Sequence, residues 1–153
     1  MDTPLATGTD TRPTRRKLPI GIQTFREIRE NDHYYVDKSG MAVDLIEAGK
    51  HYFLSRPRRF GKSLLLDTLK ALFEGERALF EGLAAETRWD WTRRHPVIRI
   101  SFADGVAQAA MGLDHRIRRN LRVNRVALGL PPPADLPPED LAGDLADLIE
   151  QHA

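Results

Sequence analysis

An α/β fold is predicted, and two observations carry it. The first is a pair of short, β-prone apolar runs, Tyr52-Phe53-Leu54 and the PVIRISF segment at 96–102, set among segments of helical period. The second is the context of the earlier run. Residues 51–73, HYFLSRPRRFGKSLLLDTLKALF, read as a strand, a basic loop, a Gly-Lys-Ser triplet and an amphipathic helix.

Residues 1–17 are rich in Thr, Pro, Gly and Arg and almost free of apolar side chains, so a disordered leader is expected. Its basic end (Arg12, Arg15, Arg16, Lys17) reads as a solvated tail. Between Gly21 and Asn31 a short helix is expected, with Phe25 and Ile28 on its apolar side. Thr24 and Glu27 form a capping box at its start. Residues 33–36 read as a brief extended piece. Asp37 or Ser39 then caps a second helix, with Met41, Ala42, Leu45 and Ile46 facing inward and Gly49 ending it. Asp37-Lys38-Ser39 serves equally as a helix cap or as a substrate-side or interface element.

In the loop helix, Leu65, Leu69, Leu72 and Phe73 share a face. A short helix is expected around 78–81. Trp89 and Trp91 then anchor a polar connector to the core. A long helix is expected over about 107–128, with Leu113, Ile117 and Leu121 on one face and Arg118, Arg122 and Arg125 on another. Residues 131–138 form a stiff proline-rich turn. A final acidic helix over 139–151 turns Leu141, Leu145, Leu148 and Ile149 inward and Asp140, Asp144, Asp147 and Glu150 outward. It is placed to pair with the basic helix before it.

Composition narrows the chemistry. At 153 residues the chain suffices for one domain with a real core. The formal net charge of +1 argues against nucleic-acid binding by charge alone, which leaves Arg118, Arg122 and Arg125 as a solvated face or, in the alternative reading, a nucleic-acid or protein contact. No cysteine is present, which excludes disulfides, thiolate zinc sites and a cysteine nucleophile. The histidines show no metal-ligand spacing. No apolar run is long enough to span a membrane, and a cytoplasmic location is expected.

The strand–loop–helix is the physical recipe for phosphate binding. A tight turn presents backbone N–H groups, and the following helix adds its positive N-terminal dipole. Lys62 would reach the β- and γ-phosphates of a nucleotide, and the Ser63 hydroxyl would ligate Mg²⁺. The cradle would be the backbone of Arg58, Arg59, Phe60, Gly61, Lys62, Ser63 and Leu64, with Arg58 or Arg59 adding charge. The octet departs from G-x-x-x-x-G-K-[ST] by having Arg56 in place of the first glycine. No catalytic residue is identifiable.

The block at 18–69, LPIGIQTFREIRENDHYYVDKSGMAVDLIEAGKHYFLSRPRRFGKSLLLDTL, closely resembles the start of the prokaryotic AAA-ATPase-like family. Three runs carry the resemblance in order: F-x-x-[IL]-R at Phe25 to Arg29, Y-V-D-K-[ST] at Tyr35 to Ser39, and F-L-S-R-P-R-R-F-G-K-S at Phe53 to Ser63. It continues to about residue 102. The family commonly has Arg where Arg56 stands, and its members usually carry a PD-(D/E)XK nuclease-like domain further along. The resemblance implies a partial P-loop NTPase, AAA-like, with an incomplete parallel sheet and flanking helices over 18–153, binding ATP and Mg²⁺. A Walker B strand ending in paired carboxylates is the next family element, and none comes after residue 102; Asp104 stands singly and reads as a helix cap. The expectation is therefore an N-terminal fragment with open sheet edges that binds ATP without useful hydrolysis.

Overall fold

The computed structural model describes residues 15–102, 112–131 and 140–151. The expected leader lies almost wholly outside the described residues, as do Asp104, the start of the long helix and most of the proline-rich turn. The elements are α1 (Phe25–Glu30), α2 (Ser39–Ala48), α3 (Lys62–Phe73), a 3₁₀ turn (Arg77–Phe80), α4 (Ala85–Arg88), α5 (Leu113–Ala127) and α6 (Leu141–Glu150). Among the described residues no helix is long and apolar enough to cross a membrane.

The α/β architecture with an incomplete parallel sheet is overturned: among the described residues there is no strand and no sheet. The reason is that β-propensity makes a strand only where another backbone completes the ladder. Residues 51–57 take no regular secondary structure, every one is exposed and none pairs, and Phe53 is 93% exposed. Residues 97–102 likewise form no strand, and side chains rather than a neighbouring strand bond to the backbone of Arg99 and Ser101.

The described residues fall into two compact units. The first comprises residues 15–71 and 77–89. Its core holds Phe25, Ile28, Ala42, Val43, Phe80 and Ala85, all fully buried. The Phe25 ring lies 4.8 Å from that of Phe80 and meets Tyr35 edge-on at 5.2 Å. Each of these large side chains contributes about 1.5–3 kcal/mol by leaving water. Met41, expected to face inward, is exposed, because α2 buries Ala42 and Val43 against α4.

Polar side chains tie this unit together across the sequence. The Asp37 carboxylate accepts from the Ser39 N–H at 2.8 Å and the Ser39 hydroxyl at 2.7 Å, so it caps α2. Its other oxygen accepts from the Ala84 N–H at 2.7 Å, while Ser39 Oγ accepts from the buried Ala85 N–H at 3.0 Å. One tripeptide therefore starts two helices. Arg88 returns from α4 to pair with Asp44 on α2. Arg29 donates from α1 to the Leu79 carbonyl at 2.7 Å and the Glu81 carbonyl at 2.6 Å. Thr24 occupies the N-cap position of α1, but its side chain makes no capping bond. The Phe25 N–H donates instead to Asp67 of α3, at 2.7 Å.

The second unit comprises residues 72–76, 90–102, 112–131 and 140–151. Its centre is polar as well as apolar. Leu121 and Leu148 are fully buried, and so nearly are Asn124 and Arg125. Leu113, expected inside, is exposed, so the buried face of α5 is rotated toward its asparagines. Asn120 and Asn124, one turn apart, act as a substitute strand. The Arg99 N–H donates to Asn124 Oδ1 at 2.8 Å, and Asn124 Nδ2 donates to the Arg99 carbonyl at 2.8 Å. Asn120 does the same for Ser101, each bond at 2.9 Å. Helical spacing on α5 thus matches the two-residue repeat of an extended chain.

The expected pairing of the basic and acidic helices is present. Arg125 is 3% exposed and reaches both Asp144 and Asp147 on α6 at 2.6 Å. Desolvation alone would lower the Arg125 pKa, but these carboxylates raise it, and the same hydrogen bonds hold Asp147 below the ordinary carboxylate range. Asp144 and Asp147, expected outward, therefore turn toward α5. Asp140 caps α6 through the Gly143 N–H at 2.7 Å.

Ser39→Ala strands the buried Ala85 N–H and costs about 1–3 kcal/mol in chemical denaturation. Burial alone would raise the Asp37 pKa, but hydrogen bonds from Ser39 and Ala84 outweigh it and lower it below 3.8. A depressed carboxylate stabilises the fold fully above its unfolded value and ceases to as the pH falls through the folded one. Acid unfolding below about pH 4 is thus less steep in Asp37→Asn than in wild type. In the second unit, Asn124→Ala costs about 1–3 kcal/mol and speeds hydrogen exchange at Arg99. Asn124→Asp does not rescue it, because a carboxylate oxygen then faces the Arg99 carbonyl.

Candidate functional site

The candidate site is the loop at 56–61 with the first turn of α3. It belongs entirely to the first unit. The basic octet does not form an extended run into the helix. It turns at Arg59 (φ 67°) and Gly61 (φ 74°), both in the left-handed region. Gly61 occupies that region without a Cβ penalty, and open space surrounds its α-carbon. Arg59 carries the same conformation at a cost of order 1 kcal/mol. The two reversals bring Lys62 in as the first residue of α3.

Lys62 is folded back over the loop that precedes it. Its ammonium donates to the Arg56 carbonyl at 2.5 Å and the Pro57 carbonyl at 2.8 Å. Arg58, Arg59 and Phe60 are exposed, Phe60 at 65%, and Ser63 is exposed at the start of α3. Arg58 and Arg59 form a turn, and beyond it no backbone carbonyl among the described residues accepts from the N–H groups of Gly61 through Leu64. The next backbone donor, Leu65, bonds to the Gly61 carbonyl at 2.9 Å and begins the regular helix.

Electrostatically the loop is cationic, with Arg56, Arg58, Arg59 and Lys62 close in sequence and the positive end of the α3 dipole behind them. This donor set fits an anion with several oxygens. It has no carboxylate of its own, and among the described residues no cluster of three or more His, Asp or Glu suits a metal ion. A cation at Ser63 would thus arrive with an anionic ligand rather than be held by protein alone.

The other sequence candidates resolve differently. Asp37 and Ser39 are occupied as helix caps and as the clamp on α4. Arg125 leaves the basic face of α5 for its buried pair with Asp144 and Asp147, so that face keeps Arg118 and Arg122 without it. Sequence reasoning passed over Asp67, Thr68, Asn120 and Asn124. Asp67 and Thr68 stood out only as polar residues amid a leucine-rich helix, and the asparagines only by their i, i+4 spacing.

Comparison with known proteins places these observations in a family. The model of the family described as "Predicted AAA-ATPase" matches residues 19–153. A protein of Azotobacter chroococcum mcd 1, described as an uncharacterized protein in the vnfD 5' region, is 62% identical over 118 residues. That alignment covers 76% of this chain and 23% of the relative, so the chain spans about a quarter of the relative's length. No solved structure matches. With the family match running from just before the first motif through the loop and both later helices, the chain belongs to the predicted AAA-ATPase-like family.

Proposed function

We propose that Arg58 through Leu64 bind the phosphates of a nucleotide, ATP in company with Mg²⁺. The observation that carries the reading is the run of N–H groups from Gly61 to Leu64, without backbone acceptors among the described residues, at a helix start that bears Lys62 and Ser63. Membership of an AAA-ATPase-like family supports nucleotide use as the purpose of that run. The reading does not depend on a sheet. It requires a turn, a helix N-terminus and cationic side chains.

In this reading the backbone cradle and the dipole of α3 meet phosphate oxygens. The Lys62 ammonium exchanges the Arg56 and Pro57 carbonyls for phosphate, and Arg58 or Arg59 adds a second cation. The Ser63 hydroxyl is a ligand for Mg²⁺, which when bound neutralises charge on the phosphates. Turnover is proposed for the whole protein rather than for this loop. Cleavage needs acidic groups for the metal and for water, and none of residues 58–64 is acidic.

The test is equilibrium binding of fluorescent ATP to the purified chain, with and without Mg²⁺. Wild type binds, Lys62→Ala weakens binding by roughly tenfold or more, and Ser63→Ala abolishes the gain from Mg²⁺. Absence of Lys62-dependent binding overturns the reading. A salt-dependent DNA complex lost in Arg118→Ala/Arg122→Ala and indifferent to Lys62 would put a nucleic-acid module in its place.

A further inference from the structure

The loop at 56–61 is exposed throughout, so its own packing cannot hold it in one direction. Whatever orients Lys62 and Ser63 must act through α3. Two adjacent residues of α3 are held within the same unit. Asp67 accepts the Phe25 N–H at 2.7 Å, and Thr68, 1% exposed, is buried with its hydroxyl donating to the Leu64 carbonyl at 2.9 Å. Adjacent helical residues point about 100° apart, so a long-range bond on one face beside a buried residue on the next fixes the rotation of α3 about its axis.

Asp67 has the more direct line to the loop. It stands at i+4 from Ser63, on the same helical face and one turn further in. Its acceptor oxygen meets a rigid donor, because the Phe25 ring is fully buried against Tyr35 and Phe80. It also supplies α1 with the cap that the Thr24 side chain does not. The bond therefore joins the start of α1 to the first turns of α3.

We propose that Asp67 is a positioning residue for the phosphate loop, fixing through its bond to the Phe25 N–H the direction in which α3 presents Lys62 and Ser63. The buried Thr68 lies on the neighbouring face. The inference rests on the phosphate-binding reading above. It gives the F-x-x-I-R run, through the Phe25 N–H, the task of holding the helix that comes after the loop.

Fluorescent ATP with Mg²⁺ is titrated into wild type, Asp67→Ala, Asp67→Asn, Asp67→Ser and Ser39→Ala. Asp67→Ala weakens binding roughly tenfold, the scale of one lost charge-assisted hydrogen bond. Asp67→Asn restores most of it, since an amide oxygen accepts the same N–H. Asp67→Ser, too short to reach the Phe25 N–H, weakens binding in the same direction, which covers the case in which Asp67→Ala does not fold. Ser39→Ala, which loses the bond to the Ala85 N–H and leaves the Phe25–Asp67 bond intact, keeps wild-type affinity. Hydrogen exchange without nucleotide reads the link by itself: Asp67→Ala speeds exchange at 58–64 together with α1, and Ser39→Ala does not. Unchanged loop exchange, or affinity that falls in Ser39→Ala as far as in Asp67→Ala, overturns the proposal. Wild type that shows no Lys62-dependent binding overturns the phosphate reading instead, and the exchange result then decides alone whether Asp67 orders the loop.

Discussion

A buried backbone amide must find an acceptor, and in this chain side chains supply it where a sheet does not. The starts of α1, α2, α4 and α6 are each met by an aspartate or serine oxygen: Asp67, Asp37, Ser39 and Asp140. The backbone of Arg99 and Ser101 is met by the amides of Asn124 and Asn120. Most of these partners lie far away in sequence. Each such bond therefore closes a long loop as well as satisfying a donor, and the elements hold their places only while those polar contacts survive. Short helices such as α1 and α4 would not persist in isolation, since nucleation is unfavourable and too few turns are added to offset it.

This dependence explains what could and could not be read from the sequence. Helices of clear period (α2, α3, α5 and α6) were legible, because a 3.6-residue apolar stripe is a local signal. So was the acid–base match of α5 with α6, which is visible in the alternating carboxylates and arginines. The strands were not. Tyr52-Phe53-Leu54 and PVIRISF carry β-propensity, but propensity says nothing about whether a partner backbone is at hand. The clamp by Asp37 and Ser39 was half legible: the sequence marks a cap, yet nothing local says that the same atoms also start α4. Asp67 shows how a local rule can name the right helix start and the wrong residue. The Thr24 capping box has the right spacing, while the acceptor comes from a residue far along the chain.

The inner face of α5 makes the same point about charge. Arginines at 118, 122 and 125 share a face by spacing, and such a face reads as solvated or as a contact for an anion. A buried arginine with well-placed carboxylates is a different object. Arg125 is desolvated and bound by Asp144 and Asp147, and its guanidinium belongs to the packing of α5 on α6. What decides between the two is the register of α6, which brings carboxylates at i and i+3 to one cation. The segment between the helices carries no local signal for that register.

The loop at 56–61 departs from this pattern. The starts of α1, α2, α4 and α6 recruit a carboxylate or hydroxyl from the chain. At the start of α3 the available side chains are cations, which repel rather than satisfy N–H groups. The nearest acidic residue on the helix, Asp67, is turned to α1. Lys62 itself donates to the Arg56 and Pro57 carbonyls. A helix start arranged this way favours an acceptor that brings its own negative charge. The aspartate one turn inside α3 then serves better as an anchor for the helix than as a cap for its end.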